Sequence, residues 1–478
     1  MANIVVEVVK YLMIILMAVY TFKCFSVFVH HDIKKKKRIL FSQNVLMFAI
    51  QAAAYIAMYL KTQELKLLFF YLAQVVLLVA TIALYTLIYP RVSRVVINNM
   101  CMLLSVGLIM ITRLDYNKAT KQFIIIVAAM VISLFVPVII RKVKFLKDWT
   151  YVYAGVGLLA LIFVAVFAQT SDGAKLGFTI FGFGVQPSEL VKILFVFFVA
   201  SSFKESTKFK NVVVTTVIAA IHVLVLVAST DLGAAVIIFV VYLVMLYVAT
   251  RQPLYLVAGL TAGSGASVIA YHLFPHIQTR VNVWRDPFAS YQNGGYQVAQ
   301  SLFAIATGSW FGMGLYNGKP TDIPVSAEDF IFSAISEEMG LIFALCLILV
   351  CLSVYIMFLN IAMQLRNGFY KLVALGLGTC YIFQVFLTIG GVTKFIPSTG
   401  VTLPLVSYGG SSLLSTLIMF GIIQGLYILR EDEEEIIEQR KEELRNVPRS
   451  TPKKKQGASK GGKKKATKFE EIEKQRIR

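Results

Sequence analysis

Residues 212–249 read VVVTTVIAAIHVLVLVASTDLGAAVIIFVVYLVMLYVA, two apolar runs parted by Ser229-Thr230-Asp231-Leu232-Gly233. A bilayer core of roughly 30 Å is crossed by about 20 apolar residues in an α-helix. Each run is therefore long enough to span a membrane, and the pair forms a helical hairpin. Working outward, runs of spanning length recur, thirteen in all, centred near residues 15, 50, 78, 105, 131, 160, 197, 220, 241, 263, 350, 380 and 419. Composition agrees: 58% of the 478 residues are hydrophobic and 15% charged, with mean hydropathy +0.73. That is more apolar surface than a soluble domain could bury. The expected fold class is all-α, a polytopic transmembrane helix bundle.

Orientation follows from the basic residues. With the amino terminus outside, the loops that become cytoplasmic include residues 30–38, 91–94, 141–148, 204–210 and 366–371, together with Arg251, and they carry 17 Lys/Arg. The opposite loops carry fewer over far more chain. The positive-inside rule thus predicts an outer amino terminus and a cytoplasmic carboxyl terminus. The first run has neither a basic start nor a small-residue cleavage site, so it reads as a span and not a signal peptide. Three regions are expected: an extension over 1–96 with about three spans, a core over 97–429 with a long outer loop at 276–326, and a charged, disordered cytoplasmic tail over 430–478. That loop is rich in Trp, Tyr, Phe and Gly, as an ordered functional loop would be.

Half of the formal charge of +20 sits at the end of the tail, where residues 445–478 hold 13 Lys/Arg against 3 Glu. Low complexity and like charge read as a solvated segment beside anionic membrane lipids, not as a nucleic-acid site. The five cysteines sit in apolar runs without ligand spacing, which predicts neither disulfides nor zinc. Residues 457–464 fall one residue short of a phosphate-binding loop and lack its strand and helix. No G-x-S-x-G or H-E-x-x-H occurs.

Charges within or beside the spans are the functional candidates, because each costs at least about 2.5 kcal/mol at mid-helix. Glu189 and Lys192 share a helix face just after Pro187, either as a self-satisfied pair or as part of a site. Asp231 opens the ninth span, where a helix cap is the ordinary role. Arg280 and Arg285 are the only arginines of the long loop; a guanidinium suits a diphosphate, and equally an interfacial anchor. Asp322, Glu328, Asp329, Glu337 and Glu338 gather within 17 residues before the eleventh span. Such acids hold a divalent cation, act as general base, or cap the entering helix.

Five stretches carry a family resemblance in register. They are Gln186-Pro187-Ser188-Glu189-Leu190 with Lys192; Asp231-Leu232-Gly233; Asp286-Pro287 with Gly295-Tyr296-Gln297 and Gln300-Ser301; Asp329-Phe330-Ile331-Phe332 with Glu337, Glu338 and Gly340; and Ser407-Tyr408-Gly409-Gly410-Ser411-Ser412. Over about residues 98–427 the chain resembles the SEDS family of peptidoglycan glycosyltransferases. The resemblance implies a ten-helix core, preceded here by about three additional spans. It implies an enzyme that polymerises lipid II into glycan strands at the outer face of the plasma membrane for elongation, division or sporulation, inverting the anomeric centre and releasing undecaprenyl diphosphate. By the same resemblance Asp329 is the catalytic acid, and Glu189, Lys192, Asp231 and Arg280 hold the site or its substrate. Gln297, Glu337, Glu338, Ser411 and Ser412 fall in the matching stretches, and Lys394 joins Arg280 as a cation facing the leaving diphosphate.

A divalent cation, Mg or Mn, is the one cofactor expected, with no organic group. The partners implied are lipid II, the undecaprenyl-diphosphate-linked glycan, membrane lipids and a class B penicillin-binding protein, with no nucleic acid. Two positions depart from the family pattern: Glu328 stands where an uncharged polar residue is usual, and Thr307-Gly308-Ser309 replaces a Ser-Gly-Gly run. A lipid-precursor flippase and a noncatalytic scaffold are the alternatives, the first needing a polar path through the bilayer.

Overall fold

The computed structural model describes residues 2–30, 32–168, 177–180 and 183–446. Thirteen long helices occupy the thirteen predicted centres. They are α1 (Ala2–Val29), α2 (Ile33–Thr62), α3 (Lys66–Ile88), α4 (Arg94–Leu114), α5 (Tyr116–Lys142), α6 (Thr150–Phe167), α7 (Pro187–Glu205), α8 (Phe209–Ala228), α9 (Leu232–Thr250), α10 (Pro253–Leu273), α13 (Ile331–Gln364), α14 (Gly368–Val392) and α15 (Gly410–Asn446). Two shorter helices, α11 (Pro275–Arg285) and α12 (Tyr296–Gly308), lie within the long loop. A two-stranded antiparallel hairpin, β1 (Phe178–Ile180) and β2 (Phe183–Val185), precedes α7.

Twelve of the long helices are apolar enough to cross a membrane. The thirteenth, α7, carries Glu189, Lys192, Lys204 and Glu205 and packs against α6, α9 and α14. Large apolar side chains such as Leu72, Val76, Phe135 and Leu159 are exposed, the pattern of a protein whose outer surface meets lipid.

Local chemistry sets the helix starts. Asp115 caps α5 by accepting from the amides of Asn117 and Lys118 at 2.8 and 3.1 Å, and Asn367 caps α14 through Phe369. Pro187 opens α7, where its missing N–H costs nothing.

The first three helices are sewn to the core by polar side chains. Every residue of α4 from Val95 to Thr112 is buried. Tyr20 donates to Asn99 Oδ1 at 3.0 Å, Asn99 reaches Ser353 on α13 at 3.2 Å, Asn98 donates to Gln43 at 3.1 Å, and the Tyr55 and Thr112 hydroxyls meet at 3.0 Å.

Two boundaries differ from expectation. The division expected at 96 falls inside α4, since the chain turns at residues 90–91 and the helix starts at Arg94. The tail expected to be disordered from 430 is helical through Asn446, because residues 430–446 are dominated by Glu, Gln, Arg, Lys and Ile, all compatible with helix. The rest of that tail lies outside the described residues. Residues 1–432 form one compact unit.

Candidate active site

A cavity of about 430 Å³ opens where α9 begins, α11 and α12 fold over, and the chain leaves α14; its polar lining includes Asp231, Arg280, Gln297, Asp329 and Lys394. Asp329 stands in the turn just before α13. That turn is built on Val325, whose φ of 50° lets the Glu328 amide reach back to its carbonyl at 3.1 Å. It is braced from the far side by Tyr408, whose amide donates to Ala327 O at 2.8 Å, and by the Ser407 hydroxyl on Glu328 O. Arg280 projects from α11 and donates through Nη1 to Ser398 O at 2.8 Å, while Trp284, one turn on, donates through Nε1 to Lys394 O at 3.2 Å. The segment 394–400 is thereby pinned to α11 as the second wall.

Asp329 and Arg280 face each other without closing an ion pair. Burial, reinforced by the negative charge of Glu328, pushes the Asp329 carboxyl up to about 6, against the opposing pull of Arg280. Burial lowers the Arg280 guanidinium from its usual value, and Asp329 and Asp231 counter it. A half-buried carboxylate with a pKa near neutrality, aimed into a cavity that also holds cations, is suited to general-base work beside a developing anion.

The other predicted residues divide by place. Asp231 is buried at the cavity edge and fully occupied: it caps α9 through Ala234 N at 3.1 Å and accepts from Ser188 Oγ at 2.8 Å and Gln186 Nε2 at 3.1 Å. Glu189 and Lys192 lie outside the cavity in a buried network. Lys192 Nζ donates to Glu189 at 2.9 Å and to Gln384 Oε1 at 2.7 Å, and Ser415 donates to Glu189 Oε2 at 3.0 Å. Ser412 extends that network, accepting from Gln384 and from Thr402 at 2.8 Å. Ser411 instead accepts from Gln186 N at 2.8 Å and donates to Gly184 O, tying α15 to the hairpin. Glu189, Lys192 and Ser412 join α7, α14 and α15, Ser411 joins α15 to the hairpin, and none of the four lines the cavity.

The acids expected as one group are dispersed. Glu337 and Glu338 lie inside α13, not ahead of it, at a break marked by Gly340 with φ 86°. The carbonyls released at that break accept from Met313 and Gly314, each at 2.8 Å. Glu338 is wholly buried and takes Arg113 at 2.8 Å and Tyr316 N at 3.0 Å, with the guanidinium 4.0 Å from the Tyr316 ring. Glu337 accepts from Lys319 N at 2.8 Å. Glu328 turns away from Asp329 to pair with Lys118 at 2.8 Å. The acids separate because they sit in a turn and on a broken helix, not along one continuous face. Among the described residues no three His, Cys, Asp or Glu side chains are placed to hold a metal ion. Asp231, the other carboxylate lining the cavity, is committed to its cap.

The FtsW, RodA and SpoVE family model, described as cell cycle protein, matches residues 92–431. The chain belongs to this family. Peptidoglycan glycosyltransferase RodA of Mycobacterium bovis (strain ATCC BAA-935 / AF2122/97) is 34% identical over 366 residues, covering 70% of this chain and 77% of its own. The same-named protein of Mycobacterium leprae is 35% identical over 362 residues with the same coverage. A probable peptidoglycan glycosyltransferase FtsW of a Geobacter species (strain M18) is 32% identical over 276 residues, 56% of this chain and 74% of that one. Among solved structures, a peptidoglycan synthase complex that coordinates polymerization and crosslinking superposes with TM-score 0.60 at 22% identity, over 71% of this chain and 98% of that one. The rod shape determining protein RodA of Thermus thermophilus does so with TM-score 0.54 at 20% identity, over 70% and 96%. At those identities the structures establish the shared fold. The match begins at Val92, so α1–α3 precede the family core.

Three residues of this family member escaped sequence reasoning. Arg113 lies in the last turn of α4, where nothing local marks it for a buried partner. Trp284 read only as one of several loop aromatics. Gly400, with φ 72°, was one glycine in a Gly/Pro-rich stretch, and no local pattern announces that its neighbours are Asp329 and Arg280.

Proposed function

We propose that this chain is a peptidoglycan glycosyltransferase that polymerises lipid II at the outer face of the plasma membrane. The reaction class is the one its mycobacterial relatives are named for. The observation that carries it to specific residues is the half-buried Asp329, held near pKa 6 in a cavity opposite Arg280 with no ion pair closed between them.

In this reading the acceptor is the sugar hydroxyl of an incoming lipid II, and Asp329 takes its proton. The hydroxyl oxygen attacks the anomeric carbon of the growing chain, and the bond from that carbon to the diphosphate oxygen breaks. The electron pair leaves with undecaprenyl diphosphate, and attack from the opposite side inverts the anomeric centre. Arg280 and Lys394 face the departing charge, which grows as the bond breaks. Cations that stabilise only that growth lower the barrier more than they tighten substrate binding. The apolar walls formed by Val283, Val298 and Phe330 suit the lipid end of the substrate.

The Lys and Arg distribution supports an amino terminus outside, with the cavity at the outer end. The flippase reading is disfavoured because the buried charges Glu189 and Lys192 satisfy each other and do not line the cavity. A class B penicillin-binding protein is the proposed partner, since uncrosslinked glycan needs a transpeptidase beside it. The matching solved complex, by its description, joins polymerization to crosslinking. The test is purified chain in detergent or vesicles given labelled lipid II: long glycan from the parent and none from Asp329→Asn supports the reading. Equal product from both overturns it.

A further inference from the structure

Gly400 is exposed at the cavity wall with φ 72°. A Cβ placed on it would lie 3.6 Å from Asp329 Oδ2 and 3.9 Å from both terminal nitrogens of Arg280. Those are ordinary van der Waals separations, so a methyl group fits there without displacing protein atoms. It would, however, lie in contact range of the carboxylate and the guanidinium together. Arg280 is held on that spot by its bond to Ser398 O, two residues before Gly400. The adjoining start of α9 is equally fixed: a Cβ on Gly233 would come 3.2 Å from Thr399 O. The wall is therefore set from both sides and does not drift away from the two charged groups.

We propose that the space over Gly400 is the reaction slot, where acceptor hydroxyl, anomeric carbon and leaving oxygen line up between Asp329 and Arg280, and that Gly400 is a positioning residue kept free of a side chain for that purpose. The inference rests on the glycosyltransferase reading above and deepens it. The proton passes to Asp329 on one side of the slot as the carbon–oxygen bond forms. The diphosphate carries off the electron pair on the side of Arg280. Both groups must be within contact range of the reacting atoms at once, and the bare Cα of Gly400 leaves the space between them open. A displacement of about 1 Å in a near-attack arrangement costs on the order of a hundredfold in rate.

The test compares full-length variants in reconstituted polymerisation. Gly400→Ala is expected to fold, to retain lipid II binding and to lose about a hundredfold in kcat with little change in KM. Gly314→Ala is the control for backbone strain, since Gly314 has φ 88° and lies outside the cavity; it is expected to lower thermal stability and keep turnover per folded molecule. If Gly400→Ala does not accumulate, Gly400→Asn bears the same test, because Asn tolerates positive φ better. Turnover by Gly400→Ala within a few-fold of the parent overturns the slot, as does an equal kcat loss in Gly314→Ala. Asp329→Asn run alongside separates the two failures: if it is inactive while Gly400→Ala is active, the slot is wrong and the function stands. If both are active, the function falls with it.

Discussion

Two encounters between a carboxylate and a guanidinium stand close together in this chain, and they are built in opposite ways. Glu338 and Arg113 touch at 2.8 Å with the carboxylate wholly buried, a backbone amide of Tyr316 on the same oxygen and the Tyr316 ring against the guanidinium. Asp329 and Arg280 share a cavity but do not close on each other, and Arg280 spends a nitrogen on Ser398 O instead. The first pair is closed within the protein through Glu338 Oε1, and it fixes the break in α13. The second keeps charge and donors directed at open space, as groups must be if they are to act on a third molecule. Distance between partners, more than residue type, separates structural charge from chemical charge.

Exchanging the carboxylates for amides should expose that difference most strongly. Asp329→Asn is expected to reduce polymerisation by about a hundred to ten thousandfold, about 3 to 5 kcal/mol of barrier, with a melting temperature near the parental one because no protein hydrogen bond is lost. Labelled lipid II turnover and a thermal melt on the same preparation check both halves. Arg113→Met should invert the pattern. It strands the buried Glu338 charge, a loss of about 3 to 5 kcal/mol of stability, read as a lowered melting temperature with turnover per folded molecule largely preserved.

The acidic limb of the rate profile is a finer probe of the open pair. Asp329 must be ionised to accept a proton, so the rate should rise through about pH 6 and level off above it. Glu328 holds the Asp329 pKa up and Arg280 holds it down. Glu328→Gln should therefore move the limb to lower pH while keeping most of the plateau rate, and Arg280→Gln should move it to higher pH while cutting the plateau. A limb that stays put in both variants would dissociate it from Asp329. The smallest effect is expected from truncation after Pro448, which removes basic residues without a periodic apolar face. Polymerisation in vitro should stay near the parental rate.

The helical bundle was legible in the sequence because lipid imposes one simple rule, a run of about twenty apolar residues per crossing, and even α7 kept that length despite its four charges. Asp329 and Arg280 were legible through the family pattern. Their spacing to each other was not, since α11 and the turn before α13 come together through bonds to residues 394–408, far away in sequence. The five acids looked like a single group because linear proximity hides direction. Val325 with φ 50° and Gly340 with φ 86° turn neighbouring carboxylates toward different partners, and neither angle is written in local composition. Arg113 was missed for the same reason: its counterion lies more than two hundred residues later.

The seam between α1–α3 and α4 bears on how the protein is made. A segment carrying Asn98, Asn99, Ser105 and Arg113 is a poor candidate to rest alone in hydrocarbon, yet α4 must leave the ribosome before α13 exists. Helices synthesised earlier can receive it: Tyr20, Gln43 and Tyr55 are already in place to meet Asn99, Asn98 and Thr112. Damage to Tyr20 or Tyr55, which removes those partners, is therefore expected to lower the yield of molecules that reach the membrane assembled and to leave the speed of each finished one unchanged.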